Sequence, residues 1–445
     1  MSSITDTDMT ASTDTRARST TMNTWGLSWR GLRTVVDLEL RQRMRSKRWL
    51  VALAVWFSVI GAMTTLVLVA TASMSRYSGD TEATAGPMAF GLITLFVLGA
   101  GLVIAPAFTA TSINGDRNQG TLATLQATPL STVEIVAGKL VAAWAVAAVF
   151  LVAALPFIVW SMLLGGISVV QVLICFAVMF ALIAVVCAVG LGFSAMFDRS
   201  ASSTVMTYVV VASLSVLTLI VPALATVLVT VDNTTVRVYG LPPEAEWEYQ
   251  QAIDDWYMAD QDLDHSWENG APAGFPAPPV QKCSWHEVTT QVTHTDRVWW
   301  MVLPNPFVVV SDAAPLPSST KADPYYVDLG HYAAVSGDPL AGIRATVREA
   351  AIGPETERDD CIWLYTYLGY NVSQEYSGTT ITLTAPDGSR PDYVSPVEPR
   401  VVTTGTPVWP WGLGANLLLG AFFFWVAVHR LKIPYKRLRK GTRVA

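Results

Sequence analysis

Two cysteines and two histidines in the second half of the sequence are the residues best suited to chemistry. The thiol and imidazole groups that zinc prefers as ligands are carried by Cys283, His286, His294 and Cys361. Zinc sites usually bring their ligands in closely spaced pairs, and these four residues are not spaced in that way. The two cysteines are instead candidates for a disulfide, if their compartment is oxidising.

A Gly-Lys pair at Gly138 and Lys139 invites comparison with a phosphate-binding loop. Such a loop requires a glycine five residues before the pair and a serine or threonine after it. This sequence has Val133 and Leu140 at those positions. We therefore expect no nucleotide site, no cofactor and no catalytic residue in the chain.

Long apolar runs make up much of the sequence, so the elements that position any functional residues must include them. The sequence is 51% hydrophobic and 14% charged, whereas a soluble domain has roughly 25% charged residues. Six runs exceed the ~18–20 residues needed to cross a bilayer, at about 50–72, 88–110, 140–164, 169–196, 202–231 and 409–431. They predict six transmembrane helices, and the first begins too far along the chain to be a cleaved signal peptide.

Basic residues predict the orientation of these helices. Of the 29 Lys and Arg residues, 19 lie in the two terminal segments, the second counted from Arg430, and in the loops after the second and fourth runs. Cytoplasmic segments carry such an excess. We therefore expect a multi-pass plasma-membrane protein with both termini in the cytoplasm and residues 232–408 outside the cell. That segment has nine basic and 25 acidic residues, which predicts an acidic extracytoplasmic domain.

The 232–408 segment has the patterns of a folded domain. Alternating residues at 379–383 predict a strand, and a helical period at about 339–351 predicts a helix, so we expect a mixed α+β fold. An oxidising location favours a Cys283–Cys361 disulfide, which would stabilise the domain by up to about 4–5 kcal/mol.

The two termini have different characters. Residues 1–23 are rich in Ser, Thr and Asp and predict a disordered cytoplasmic tail, whereas residues 432–445 form a basic cytoplasmic tail. Residues 24–49 predict an amphipathic interface helix, whose apolar stripe is Trp25, Trp29, Leu32, Val36, Leu40 and Met44. Two interpretations of this helix stay open, an anchor to anionic lipid and a contact with an ATPase.

The segment from Ala110 to Lys139 is the most informative part of the sequence. A polar, Gly-rich bend is followed by Leu122 and Leu125, spaced three residues apart, and Pro129 then breaks the helical pattern. Ser131 and Glu134 form a capping-box signature that begins a new helix. This order predicts a short cytoplasmic helix at about 114–130, held between the second and third transmembrane helices.

This segment resembles the ABC-2 permease family. The residues that match the family's pattern are Gly115, Asp116, Arg117, Gly120, Thr121, Leu122, Leu125, Thr128, Pro129, Leu130, Gly138 and Lys139. The sequence departs from the pattern at Asp116, where glutamate is usual, and at Asn118, where a charged residue is frequent. The inner loop at 194–200 and the basic end of the chain from Arg430 also resemble the family.

The resemblance implies a coupling helix that docks on a separate ATPase subunit, which holds ATP and magnesium. The residues implied in that contact are Asp116, Arg117, Gly120, Thr121, Leu122, Leu125, Thr128, Pro129 and Leu130. It also implies a second permease copy or a paralogous permease, outward transport, contact with membrane lipid and no nucleic-acid partner. The apolar patch at 299–307 resembles the family's re-entrant segment, and a buried core strand is the alternative.

The predicted transmembrane helices carry no ionisable residue in their interior, which disfavours an ion-driven carrier. A pathway would be lined by apolar and small polar residues, among them Ser58, Thr64, Thr65, Thr94, Gln171, Ser203, Thr204, Thr207 and Ser213. An amphipathic or hydrophobic substrate fits this lining. The alternatives are a receptor or sensor, and an envelope-assembly scaffold that uses the outer domain to bind a ligand or partner.

Replacing Leu122 and Leu125 with Asp tests the coupling assignment. We expect membrane insertion to be unchanged and the chain to be uncoupled from its ATPase, because the substitution puts charge on the apolar contact face. ATPase association and transport by the variant are the measurements. Wild-type values for both would contradict the assignment.

Overall fold

The chain is mainly helical. A computed structural model describes residues 26–44, 47–78, 85–121, 130–165, 167–259, 274–314, 338–362, 364, 395–397 and 407–431. Predictions made for the tails at 1–23 and 432–445 and for the strand at 379–383 lie outside these residues. Helices α1 to α9 precede the first strand, and their bounds are Trp29–Met44, Lys47–Ser78, Ala85–Thr109, Ser112–Asn118, Thr132–Val152, Leu155–Leu163, Val169–Met196, Ser200–Ala212 and Thr218–Leu228.

Six helical spans among the described residues are long and apolar enough to cross a membrane, as predicted. Spans 1 to 6 are Trp49–Thr71, Gly86–Asn118, Thr132–Leu163, Val169–Met196, Ser200–Leu228 and Trp409–Leu431. Span 3 consists of α5 and α6, and Pro156 lies in the first turn of α6. Span 5 is interrupted by a π-helical turn, Ser213–Leu217, between α8 and α9.

Span 4 is the centre of the bundle. About two thirds of its apolar window is buried (67%), whereas only 17% of the window of span 5 is buried. Span 6 lies close against span 4 because a glycine on each span, Gly192 on span 4 and Gly420 on span 6, lies at their contact. A Cβ atom at Gly420 would lie 3.2 Å from the Val185 backbone, and one at Gly192 would lie 2.5 Å from the Phe423 ring. Larger residues there would force the two spans apart.

Between spans 5 and 6 lies an insert, residues 230–408, which contains a small mixed sheet. Its described elements are β1 (Thr230–Gly240), α10 (Pro243–Ala259), β2 (Ser284–Thr293), α11 (Pro306–Ala313), α12 (Pro339–Ile352) and β3 (Glu357–Asp359), and span 6 is the single helix α13. The strand order is β2-β1-β3, with β2 antiparallel and β3 parallel to β1. The helix predicted at 339–351 is confirmed as α12.

A disulfide joins the two outer strands of this sheet. Cys283 immediately precedes β2, Cys361 follows β3, and their sulfur atoms are bonded across a Cα separation of 6.3 Å. That separation is in the usual range for a disulfide. The covalent link therefore fixes the ends of β2 and β3 on either side of β1.

A buried carboxylate attaches the insert to span 6. Asp312 of α11 accepts hydrogen bonds from the backbone N–H groups of Val408 and Trp409 at 2.7 and 2.8 Å. Its other oxygen accepts a hydrogen bond from Arg348 of α12 at 2.7 Å.

The segment that contains the predicted apolar patch at 299–307 is helical, with a 3₁₀ turn at Trp299–Val302 followed by α11. The alternative of a core strand is therefore wrong.

The helix α12 begins at a second buried carboxylate, which makes its stability sensitive to pH. Asp338 caps the helix by accepting a hydrogen bond from Leu340 N–H at 3.0 Å. Burial raises the pKa of Asp338 from 3.8 to about 6, although the nearby Arg344 opposes the shift. Between these two pH values the folded chain keeps a proton that the unfolded chain has lost, so this group's contribution to stability falls as pH rises.

Asp338→Asn tests this charge. Asparagine keeps the cap but cannot ionise, so we expect the variant to gain melting temperature over the wild type as pH rises from about 4 to 7. Thermal unfolding of the full chain in detergent is the measurement. Thr346→Ser, at an exposed position of the same helix, changes no ionisable group and is the control, so its melting temperature should differ from that of the wild type by the same amount at every pH. A difference between Asp338→Asn and wild type that stays constant with pH would contradict the burial argument.

Candidate functional site

The described part of the predicted coupling segment begins with α4, the last part of span 2, which follows α3 after a short turn. Asp116 and Arg117 lie on this helix, and Gly120 follows its end with a φ of +72°. Glycine adopts that left-handed conformation without strain, which suits it to the position after a helix. Thr121 is exposed and Leu130 precedes the next helix. The predicted contact residues Leu122, Leu125, Thr128 and Pro129 lie outside the described residues.

The predicted capping box at the start of span 3 is confirmed. Ser131 Oγ accepts a hydrogen bond from Glu134 N–H at 3.1 Å, and Glu134 Oε2 accepts one from Ser131 N–H at 2.7 Å. These two bonds satisfy N–H groups that the first turn of a helix leaves without partners.

The same glutamate also binds the beginning of α1, which sequence analysis did not anticipate. Glu134 Oε1 accepts a hydrogen bond from Ser28 N–H at 2.6 Å, and Ser131 Oγ donates to the carbonyl of Gly26. Ser28 Oγ in turn accepts a hydrogen bond from Gly31 N–H at 3.1 Å. One carboxylate therefore holds the N-termini of two helices that are about a hundred residues apart in sequence.

Helix α1 packs against the first turns of span 3. A Cβ atom at Gly138 would lie 2.5 Å from Val35 Cγ1, so only glycine permits this approach. Trp29 is 76% exposed, although the predicted apolar stripe included it. The most buried positions of α1 are instead Gly31, Val35 and Glu39, one residue before the half-buried predicted positions Leu32, Val36 and Leu40.

A buried charge network lies one turn further along this interface. Lys139 of span 3 has a side chain that is 1% exposed, and its ammonium group contacts two carboxylates. One belongs to Glu39 of α1, and the other belongs to Asp116 of α4, at 2.5 Å. Arg43 lies 3.5 Å from the second oxygen of Glu39. We call these four residues the Lys139 network.

The Lys139 network is electrically balanced, with two cations and two anions. Transfer of a charge from water into a protein interior costs several kcal/mol unless oppositely charged groups accompany it. Each carboxylate that accompanies Lys139 comes from a different helix. The position of one buried ammonium therefore depends on α1, on the end of span 2 and on the start of span 3 together.

A more exposed ion pair connects α4 to the loop between spans 4 and 5. Arg117 donates a hydrogen bond to Asp198 at 2.6 Å, but the Asp198 side chain is 89% exposed. Exposed pairs contribute at most about 1 kcal/mol. Below this pair, Ser194 Oγ accepts hydrogen bonds from Ile113 N–H and Asn114 N–H at 2.9 and 3.2 Å. These bonds fix the start of α4 against span 4.

The small polar residues predicted to line a pathway are mostly satisfied within their own helices. The hydroxyls of Thr64, Thr65 and Thr207 donate to carbonyls one turn earlier, at 2.8 Å in each case. Thr94 Oγ1 and Gln171 Oε1 are buried and have no hydrogen-bond partner within the described structure. The interiors of the spans thus present weakly polar surfaces rather than charges.

A cavity of about 450 Å³ lies in the insert, between α10 and the sheet. Its described walls combine aromatic and charged side chains, including Tyr249, Tyr257, Phe275, Glu246, His286 and Arg358. All of its described lining residues belong to the insert. The cavity is therefore separate from the Lys139 network.

Lys139 belongs to the pattern that resembles the family, but that pattern does not indicate Glu39 as its partner. Glu39 lies on a helix whose other charged residues are mainly arginines, and it follows the buried Val35 by one helical turn. An acidic residue on the buried face of a basic helix is a signal for a buried cation nearby. The identity of that cation depends on packing between residues 100 positions apart.

Comparison with known proteins gives one family. The model described as ABC-2 family transporter protein matches residues 33–264, just over half of the chain. The matched range includes the whole Lys139 network, the first five spans and the first part of the insert. No curated protein matches the chain significantly.

Lys139→Met tests the charge network. Methionine removes the ammonium and leaves the buried Glu39 and the partly exposed Asp116 without this cation, so we expect a loss of about 3–5 kcal/mol in stability. Thermal unfolding of the full chain in detergent, followed by tryptophan fluorescence, is the measurement. The triple variant Glu39→Gln, Asp116→Asn, Lys139→Met should recover much of the loss, because it removes both carboxylates together with the ammonium group and leaves a charge only on the half-buried Arg43.

Arg117→Gln is the matched control, since it breaks an exposed pair. We expect it to cost no more than about 1 kcal/mol. Equal destabilisation by Lys139→Met and by the triple variant would mean that packing, rather than charge pairing, holds this end of the bundle together.

Proposed function

The chain belongs to the ABC-2 transporter family, and on that premise we propose that it is the permease subunit of an ATP-driven exporter. The family and the six apolar helices together make it a multi-pass membrane protein. In this proposal both termini and the Lys139 network face the cytoplasm, and the insert faces the exterior. ATP hydrolysis takes place on a separate nucleotide-binding subunit.

The Lys139 network is the observation that supports coupling most directly. A subunit that pushes on α4 moves Asp116, and a subunit that pushes on α1 moves Glu39. Both displacements act on the same ammonium group at the start of span 3. Because separating a buried pair is costly, the three helices respond as one unit rather than sliding past each other.

The exposed side of α4 and the residues that follow it are the proposed docking surface for the ATPase. Asp116, Arg117, Gly120, Thr121 and Leu130 are the described members of this surface, and Leu122, Leu125, Thr128 and Pro129 complete it. Gly120 and Thr121 are exposed, as a contact residue must be before its partner binds. ATP and magnesium belong to the partner, since Lys139 is occupied by carboxylates.

The proposed substrate is an amphipathic or hydrophobic compound that moves outward. Weakly polar span interiors support this class, because they offer no fixed charge to compensate a small ion. A second permease copy or a paralogous permease completes the transporter. Low burial of spans 1 and 5, at 22% and 17% of their windows, leaves apolar surface for that partner and for lipid.

Purification in mild detergent tests the assignment directly. We expect a nucleotide-binding subunit to co-purify, and the complex in liposomes to export an amphipathic dye when ATP is added. Purification without an ATPase would support the alternatives, a receptor or sensor or an envelope-assembly scaffold. Labelling of residues near Thr121 from the cell exterior would contradict the proposed orientation.

Gly138→Ala tests whether the seating of α1 on span 3 matters for coupling. The added methyl group would overlap Val35, and overpacking of this kind costs about 1–3 kcal/mol. We expect ATP-dependent export to fall by about tenfold, which corresponds to ~1.4 kcal/mol, while ATP hydrolysis continues. Gly414→Ala in span 6 is the control, because no described atom outside the backbone of its own helix lies within 4 Å of the added methyl group. Equal export by the two variants would contradict the role of α1.

A further inference from the structure

Span 5 contains two consecutive interruptions of regular α-helix. In the π-helical turn Ser213–Leu217 the backbone hydrogen bonds join residues five apart, whereas an α-helix joins residues four apart. The turn therefore contains one residue more than regular α-helix would at this place. Pro222, shortly after it, has no N–H and cannot bond to the carbonyl of Thr218. The middle of span 5 is therefore its weakest point along the backbone.

A side chain from the insert is bound to this weak point. The amide nitrogen of Asn305 donates hydrogen bonds to the Ser215 carbonyl at 3.0 Å and to Thr218 Oγ1 at 2.9 Å. Thr218 Oγ1 donates in turn to the Leu214 carbonyl at 2.7 Å. The amide of Asn305 thus satisfies a backbone carbonyl within the π-helical turn itself.

The other half of the same amide group begins α11. Asn305 Oδ1 accepts hydrogen bonds from Phe307 N–H and Val308 N–H at 2.8 and 3.4 Å. Asn305 is fully buried, with an exposed fraction of 0%. One side chain therefore joins the start of α11 to the π-helical turn of span 5.

The segment that carries Asn305 is fixed to the well-packed part of the bundle. Val309 and Val310 of α11 belong to the main apolar core with spans 2 and 4. Asn416 of span 6 donates a hydrogen bond to the Pro304 carbonyl at 3.0 Å, next to Asn305. Span 5 is much less buried than these neighbours. Asn305 therefore connects the least buried span to the well-packed part of the bundle.

We propose that Asn305 is a positioning residue that holds the π-helical turn of span 5, and that release of its amide lets the turn change register. Conversion of a π turn to α-helix shifts the register by one residue, which is a rotation of about 100° and a rise of about 1.5 Å. The half of span 5 beyond the turn leads directly into β1 at Thr230. A register change in span 5 therefore moves the central strand of the insert.

The role of this motion in transport rests on the proposed function. The hydrogen bonds between Asn305 and the π-helical turn, which we call the latch, do not depend on it. In a transporter, rotation of the outer half of span 5 exchanges the side chains that face the interior of the bundle. Cargo passage or closure of the pathway then depends on whether Asn305 is bound. The bonds of Asn305 are nevertheless a property of the isolated chain and are measurable without an ATPase.

The two functions of Asn305 are separable by substitution. Asn305→Asp keeps an oxygen that caps α11 but loses the amide N–H donors that bind the π-helical turn. Asn305→Ser also keeps a capping oxygen, and its hydroxyl ends one bond short of the amide nitrogen that reaches the turn. Thr218→Val removes the second partner from the other side and leaves Asn305 intact. Tyr208→Phe is the control, because it deletes a different hydrogen bond of span 5, from Tyr208 to the Val103 carbonyl.

Hydrogen exchange of the full chain in lipid nanodiscs, measured by mass spectrometry, tests the proposal. We expect peptides that cover residues 213–222 to exchange on the order of tenfold faster in Asn305→Ser and Thr218→Val. Peptides that cover α11 should exchange at the wild-type rate, because its cap is retained. Tyr208→Phe should leave residues 213–222 unchanged.

Two results would overturn the proposal. Wild-type exchange of residues 213–222 in both Asn305→Ser and Thr218→Val would mean that the amide does not hold the turn. Faster exchange of α11 alone would mean that Asn305 is only a helix cap. Co-purification of an ATPase is independent of both results, so failure of the proposed function is distinguishable from failure of the latch. With the ATPase present, loss of export at an unchanged rate of ATP hydrolysis would assign the latch to the transport step.

Discussion

A single buried ammonium group organises one end of this helix bundle. Lys139 has almost no contact with solvent, and a charge in that position is stable only if anions accompany it. Glu39 and Asp116 supply those anions from two different helices. Satisfying one cation therefore fixes the relative positions of α1, α4 and span 3. Arg43 balances the remaining negative charge, and the network is neutral as a whole.

The rest of the bundle divides into a rigid centre and a looser edge. Span 4 is packed on several sides, and the glycines at 192 and 420 bring span 6 directly against it. The insert is attached to this centre through Asp312, which binds the start of span 6, and through the apolar face of α11. Spans 1 and 5 bury much less of their surface. Packing among the described residues therefore holds spans 1 and 5 less than it holds span 4.

Sequence alone predicted those features that depend on neighbouring residues. Apolar runs predicted the six spans, the capping-box pair Ser131 and Glu134 predicted the start of span 3, and helical periodicity predicted α12. It did not predict the second hydrogen bond of Glu134, because Ser28 is 106 residues away and reaches it only through packing. The predicted face of α1 was displaced by one residue, since the missing side chain of Gly138, rather than the apolar stripe, decides which face makes contact.

The π-helical turn of span 5 could not be predicted from the sequence either. The reason becomes clear when the starts of the spans are compared. Span 3 follows a capping box, and span 4 follows Ser168, whose hydroxyl accepts a hydrogen bond from Gln171 N–H. The N–H group of Trp409, the first residue of span 6, donates a hydrogen bond to Asp312. Span 5 begins at Arg199 without a side-chain cap among the described contacts. It is also the least buried span, and its irregular turn is satisfied from outside by Asn305. An irregularity that depends on a distant partner leaves no local sequence signal, because the residues of the turn itself are ordinary helix formers in a membrane. The same dependence makes span 5, rather than its capped and buried neighbours, the helix whose conformation another part of the chain controls.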